Sequence, residues 1–169
     1  MDRVDGTPLA EVDEDNERHG IYLARMPSGA STDDASIKVV LVKFTARYSE
    51  VAHRLLANHD PPLAPALYHC ICVIGGLYMV MMEYMSNTKT LHWFFTPSPL
   101  PPPPSTEAVQ RDLTKALDLL HGRDLVFGDL RQLNILCSAE DNRAFLVDFD
   151  GAGKHEGDRY YPCLSPELG

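Results

Sequence analysis

The chain has 169 residues, a formal net charge of −9, and 44% apolar against 23% charged residues. That length holds one ordinary domain or two small lobes and can bury roughly 70% of its unfolded surface, so wholesale disorder is excluded. The acidic balance opposes a nucleic-acid partner, and no run reaches the ~18 apolar residues of a membrane span, so no membrane partner is expected.

Between Asp2 and Glu17 seven acids stand against Arg3 alone. Residues 1–18 therefore read as a solvated acidic tail, with an acidic docking arm as the sharper alternative. No apolar run follows a basic start, so no signal peptide is expected. Four cysteines (Cys70, Cys72, Cys137 and Cys163) in a core-rich chain fit free thiols in a reducing, intracellular, cytoplasmic setting. His69, Cys70 and Cys72 lack a second ligand pair at finger-like spacing, and on a strand His69 faces away from both cysteines. They read as packed residues rather than a metal site.

Residues 21–25 (IYLAR) form a candidate short strand, and the Ser-, Gly-, Thr- and Asp-rich residues 27–36 a turn. Residues 37–44 (IKVVLVKF) are dense in β-branched side chains and read as a strand. Residues 48–57 (YSEVAHRLLA) have helical spacing. Val51, Ala52, Leu55 and Leu56 are expected on the buried face, with Glu50, His53 and Arg54 mostly off it. Pro61-Pro62 ends anything helical. Two strands, 66–74 and 77–84, flank Gly75-Gly76, a hairpin signal.

Residues 91–95 are a short apolar segment holding the single tryptophan. Residues 97–104 follow with six prolines, an extended connector between two halves. Ser105 is placed to cap a helix to His121, with Glu107 in its first turn, a buried stripe of Val109, Leu113, Leu117 and Leu120, and Gly122 as its stop. Three brief strands follow, at 124–127, 134–137 and 144–147.

The chemistry lies in residues 126–136 (VFGDLRQLNIL) and 145–154 (FLVDFDGAGK). Asp129 and Asn134 sit in a loop anchored by apolar residues on both sides. Asp148 follows an apolar strand and precedes a turn, well placed for a cation. Either of the first two alone reads equally as a loop residue bonding its own backbone. Together, after a helix ending in Leu-His, the set resembles the catalytic and magnesium loops of the protein kinase superfamily.

The resemblance runs over about residues 20–167 and is nearest to a group of fungal kinase-like proteins with similar VKFTxRYxExAHRLLA and GDLRxxN…DFDxAGK stretches. It implies an α+β, bilobal fold: an N-lobe antiparallel sheet plus one helix (19–85), a hinge and proline-rich linker (86–104), and a truncated C-lobe (105–169). It implies ATP and Mg²⁺ as cofactors, with a protein or small-molecule acceptor. Asp129 would be the catalytic base, Arg131 would steady the transferring phosphate, and Asn134 and Asp148 would hold the metal. Lys43 would reach the nucleotide phosphates with Glu50 as its helix partner, and Glu83 and Met85 would lie in the adenine-binding hinge.

The sequence also departs from that pattern. Phe127-Gly128 stands where His-Arg is usual, which removes the clamp for a phosphorylated activation loop, and Phe127 is expected to fill the histidine's space. Asp150 takes a glycine position, where it is expected to tolerate left-handed backbone and to add a carboxylate that strengthens metal binding or faces water. Only the downstream end of a glycine loop is visible, at Gly20. Ser165-Pro166-Glu167 resembles the close of an activation segment two residues from the end. Apolar surface on the 109–120 helix is then expected to be exposed, for a partner protein to cover. The implied function is protein Ser/Thr phosphotransfer, with a pseudokinase scaffold and a small-molecule kinase as alternatives.

Overall fold

A computed structural model describes residues 20–27, 37–73, 75–95, 97 and 102–154. The acidic tail, residues 28–36 of the turn, residues 98–101 of the proline run, Cys163 and Ser165-Pro166-Glu167 lie outside the described residues.

The first half is a four-stranded antiparallel sheet with one helix. Strands β1 (Ile21–Pro27), β2 (Ile37–Thr45), β3 (Leu67–Cys72) and β4 (Tyr78–Glu83) lie in the order β1-β2-β4-β3. The β-branched run of β2 takes an inner position, paired Lys43 to Ile21 on one side and Lys43 to Val80 on the other. Gly75 and Gly76 both have positive φ between β3 and β4, as the hairpin signal requires.

Helix α1 (Glu50–Ala57) starts two residues later than the periodicity predicts, and its buried face is rotated. Ala52, His53 and Leu56 point inward, while Val51 is 69% exposed. The polar His53 is inside because both ring nitrogens find partners there, which removes the usual cost of burying imidazole.

The second half begins with a short strand β5 (Lys89–Thr90) and a one-turn helix α2 (Leu91–Phe94) capped by Thr90. Helix α3 (Thr106–His121) follows, its first turn closed by the Ser105 hydroxyl accepting from the Ala108 N–H at 3.2 Å. Gly122 ends α3 in right-handed backbone, and the positive φ comes at Asp124.

The innermost stripe of α3 is Ala108, Asp112, Ala116 and Leu120, with Val109, Leu113 and Leu117 packed half-buried beside it. Leu120 is buried as predicted, and the rest of the predicted stripe is displaced by one position. Two alanines let α3 approach β8 closely, and Asp112 is admitted because it is fully bonded there. Its carboxylate accepts from Arg143 Nε at 2.8 Å, the Ala144 N–H at 3.0 Å and Arg111 Nε at 2.9 Å. The expected exposed apolar surface on α3 is not found. Among the described residues, the large exposed apolar side chains of this half are Phe95, Leu130 and Leu133.

Strand β6 (Leu125–Val126) pairs with β9 (Gly153–Lys154), and β7 (Ile135–Ser138) lies between β5 and β8 (Arg143–Leu146). One core joins the halves: Ala52 and Leu56 of α1 meet Ala116 and Leu120 of α3, Ile135, Leu146 and Phe149. No helix among the described residues is long and apolar enough to cross a membrane.

Candidate active site

Lys43 is presented by a strand paired on both sides, which fixes its backbone. Its side chain is buried, and Nζ lies 2.8 Å from Asp148 Oδ1 and 2.8 Å from Asp150 Oδ2. Thr45, two residues along β2 and therefore on the same face, donates its hydroxyl to Asp150 Oδ2 at 2.6 Å.

Asp148 directly follows β8 and Val147, whose N–H donates to the Asn134 carbonyl at 3.0 Å. The left-handed residue is Asp148 itself (φ 67°), not Asp150 as the sequence implies. A residue with a short polar side chain is suited to that backbone, and Asp148 Oδ1 accepts the Asp150 N–H at 3.4 Å. A 3₁₀ turn then runs Phe149–Gly151. Burial pushes the Asp148 carboxyl upward, but the adjacent Lys43 ammonium and the Asp150 N–H outweigh it and hold the group below the ordinary carboxylate range. Asp150 is displaced the other way, by burial and then by the Asp148 charge. Two carboxylates sharing one ammonium thus separate in acidity.

Phe149 is fully buried and anchors the turn. It stacks on His53, with ring centroids 4.5 Å apart, and meets Phe127 edge-on at 5.5 Å. The space left by the missing histidine is thus filled by Phe127. The Ser49 N–H donates to the Phe149 carbonyl at 3.1 Å, tying the start of α1 to this turn.

The Asp129 loop packs directly on the same turn. Gly128 has φ 80°, and a Cβ there would run into the Gly151 carbonyl oxygen. In this backbone conformation only glycine fits. Asn134 Nδ2 donates to the Asp129 carbonyl at 3.0 Å and to Asp129 Oδ2 at 2.9 Å. Arg131, mostly exposed, approaches the same Oδ2 at 3.1 Å.

The Lys43–Glu50 pair expected from the sequence does not form. Glu50 binds Arg54 at 2.7 Å, one turn along its own helix, and the carboxylates of Asp148 and Asp150 take Lys43 instead. Glu83 sits at the end of β4, where its Oε2 accepts the Ala66 N–H at 3.2 Å and its own N–H donates to the Ala66 carbonyl at 2.9 Å. The Met85 carbonyl accepts from the Thr88 hydroxyl at 2.8 Å, which closes the turn after the segment. Lys43, Asp129, Arg131, Asn134 and Asp148 are brought into one neighbourhood, and Glu50 is left outside it.

Among the described residues, no group of three or more His, Cys, Asp or Glu side chains forms a metal cage. The residues present nonetheless suit a hard cation that keeps some water and phosphate ligands, as Mg²⁺ does. Asp148 offers carboxylate oxygen. Asn134 spends its Nδ2 on Asp129, so its amide oxygen is the atom it can give. Asp150 Oδ1 is buried with no hydrogen-bond partner.

Sequence reasoning missed Thr45 and the tie between Asp150 and Lys43. The period of two on β2 could have placed Thr45 beside Lys43; nothing local could have joined either to Asp150.

No protein-family model matches the chain. It is 28% identical over 136 residues to the serine/threonine-protein kinase PknD of Mycobacterium tuberculosis, covering 80% of this chain and 19% of that protein. It is 28% identical over 145 residues to the serine/threonine-protein kinase PknF of the same organism, covering 79% of this chain and 29% of that one. The chain thus spans less than a third of the length of these relatives. In three dimensions it is similar to the Cydia pomonella granulovirus kinase PK-1, with a TM-score of 0.62 and 20% identity over 88% of this chain and 52% of that one. The order of strands and helices, the sequence similarity and the likeness in three dimensions agree: the chain has a protein-kinase-like fold.

Proposed function

We propose that the chain is an ATP-dependent phosphotransferase of protein-kinase type, moving the γ-phosphate to a Ser or Thr hydroxyl. The observation that supports it most is the contact of Lys43 with Asp148, 105 residues apart in sequence, beside the Asp129–Asn134 pair.

Phosphoryl transfer asks a protein chiefly for positioning and for stabilisation of charge. Lys43 supplies positive charge toward the nucleotide phosphates from a rigid strand. The backbone of Glu83 and Met85 faces the adenine edge. Asp129 orients the acceptor hydroxyl and receives its proton, and Asn134 holds the carboxylate through its bond to Oδ2 and the loop backbone through its bond to the Asp129 carbonyl. Arg131 stands beside Asp129, placed to steady the transferring group. Asn134 and Asp148 would hold Mg²⁺, which when bound would screen the charge of the triphosphate.

The test is Mg·ATP turnover on a Ser/Thr peptide mixture by the wild type and Asp129→Asn. The expected loss is at least ~100-fold, the usual size of a general-base contribution. Equal rates sink the proposal.

A nucleotide-binding module without transfer is the second reading. One observation favours it: Asp129 Oδ2 is engaged by both Asn134 and Arg131, which leaves it little freedom to take a proton. Under that reading Mg·ATP at 100-fold over Kd still raises stability by about 2.7 kcal/mol, with no turnover.

A further inference from the structure

The kinase-like reading gives Lys43 a helix glutamate as the group that orients it. Here that glutamate is occupied by Arg54 at 2.7 Å. The carboxylate that meets Lys43 besides the proposed metal ligand belongs to Asp150, at 2.8 Å.

Asp150 is fixed for such a task. Its Oδ2 receives the Thr45 hydroxyl at 2.6 Å as well as Lys43 Nζ, so it bonds two side chains on one face of the same strand. Its own backbone N–H is turned onto Asp148. The ring of Phe149, one residue before, is fully buried, and the Phe149 carbonyl is bonded to Ser49. A cation drawing Asp148 toward itself would leave Lys43 with Asp150 alone.

We propose that Asp150 is the positioning residue for Lys43, replacing a helix α1 glutamate. The readiness of Lys43 for nucleotide phosphate is then set by the metal-loop turn and not by where α1 lies. Asp150 acts through Lys43 and does not itself touch the nucleotide. The inference rests on the phosphotransferase reading, in which Lys43 holds the phosphates.

A double-mutant cycle with calorimetric binding tests it, using Mg·ADP and adenosine as probes. Adenosine lacks phosphates and reports on an intact adenine site. Asp150→Asn is expected to weaken Mg·ADP about tenfold and leave adenosine unchanged, whereas Glu50→Gln changes neither by more than about twofold. In a Lys43→Met background, Asp150→Asn is expected to add less than about a twofold further loss, because its effect passes through Lys43. A loss that persists in the Lys43→Met background makes Asp150 a direct metal ligand and overturns the proposal. An equal loss with Glu50→Gln, or none with Asp150→Asn, overturns it too. Should Asp150→Asn not fold, Thr45→Val removes the hydroxyl bond to Asp150 together with that hydroxyl's longer contacts to the Arg47 backbone. It is then expected to cost about threefold in Mg·ADP affinity, again only when Lys43 is present; no loss counts against the proposal. Failure of the wild type to bind either probe overturns the phosphotransferase reading and this inference with it. Wild-type binding with an unaltered cycle overturns this inference alone.

Discussion

The ring of His53 lies flat on that of Phe149, with centroids 4.5 Å apart and planes 9° from parallel. Its Nε2–H donates to the Pro65 carbonyl at 2.8 Å, which leaves Nδ1 to accept from the Tyr48 hydroxyl at 2.6 Å. The Tyr48 bond requires the neutral ring, whereas the Pro65 bond survives protonation. One residue of α1 thereby joins the sheet half, the loop before β3 and the turn carrying Asp148.

That arrangement predicts an acid-sensitive fold. Burial, with a further contribution from the Arg54 charge, pushes His53 down to about 4, against the Pro65 bond, which acts the other way. The unfolded chain takes up the proton near its ordinary value of 6.5, so the stabilising effect is complete above that pH and is lost as pH falls toward 4. The full loss amounts to ~3 kcal/mol. Urea unfolding at pH 7, 5.5 and 4.5 should show this slope in the wild type and not in His53→Gln. Parallel slopes would remove His53 as its source.

Gly128 and Gly75 make a matched pair. Both have positive φ, but a Cβ at Gly75 meets nothing within 4 Å while one at Gly128 strikes the Gly151 carbonyl. Gly75→Ala should cost about 1 kcal/mol from backbone strain alone. Gly128→Ala should cost about 2–3 kcal/mol, or displace the Asp129 loop and abolish turnover without unfolding the chain. Thermal melts and turnover on both variants check this; equal effects would mean that the contact between the two loops carries no weight.

Asp112 is the buried charge that fastens α3 to β8. Its burial favours the neutral acid, and the three donors around it reverse that, so its carboxyl stays below the ordinary range. Asp112→Ala leaves Arg143 Nε and the Ala144 N–H without their acceptor, while Arg143 keeps its bond to the Pro62 carbonyl, and should cost about 3–4 kcal/mol. Arg111→Ala should cost much less, since its guanidinium is largely in water. Chemical denaturation of both variants gives the comparison.

The rotated face of α1 is open to a simple check. Val51→Lys should change stability by less than about 0.5 kcal/mol, as an exposed substitution does. Ala52→Lys forces a charge into a fully buried position and should prevent folding or cost more than about 4 kcal/mol. The opposite ranking would restore the face drawn from periodicity.

The strands were legible because their signals are local. The β-branched run of residues 37–44 and the Gly75-Gly76 pair act within a few residues of themselves. The start of α3 was legible for the same reason, since the Ser105 hydroxyl needs only the N–H three residues on. Helix faces were less legible. Periodicity treats Val51 as core and His53 as surface, and what decides otherwise is the carbonyl of Pro65 and the ring of Phe149, 12 and 96 residues away.

The sequence by itself determined which residue types stand at Lys43, Asp129, Asn134 and Asp148, and the spacings that make them resemble one family's machinery. Those are properties of short segments, and they follow from composition and order alone. Only the tertiary structure decided what each one touches. It gave Lys43 to Asp148 and Asp150, gave Glu50 to Arg54, and pressed Gly128 against Gly151. The physical reason is range. A contact between β2 and the turn after β8 depends on how the sheet half and the helical half close over one shared core, and no local pattern in either segment carries that information.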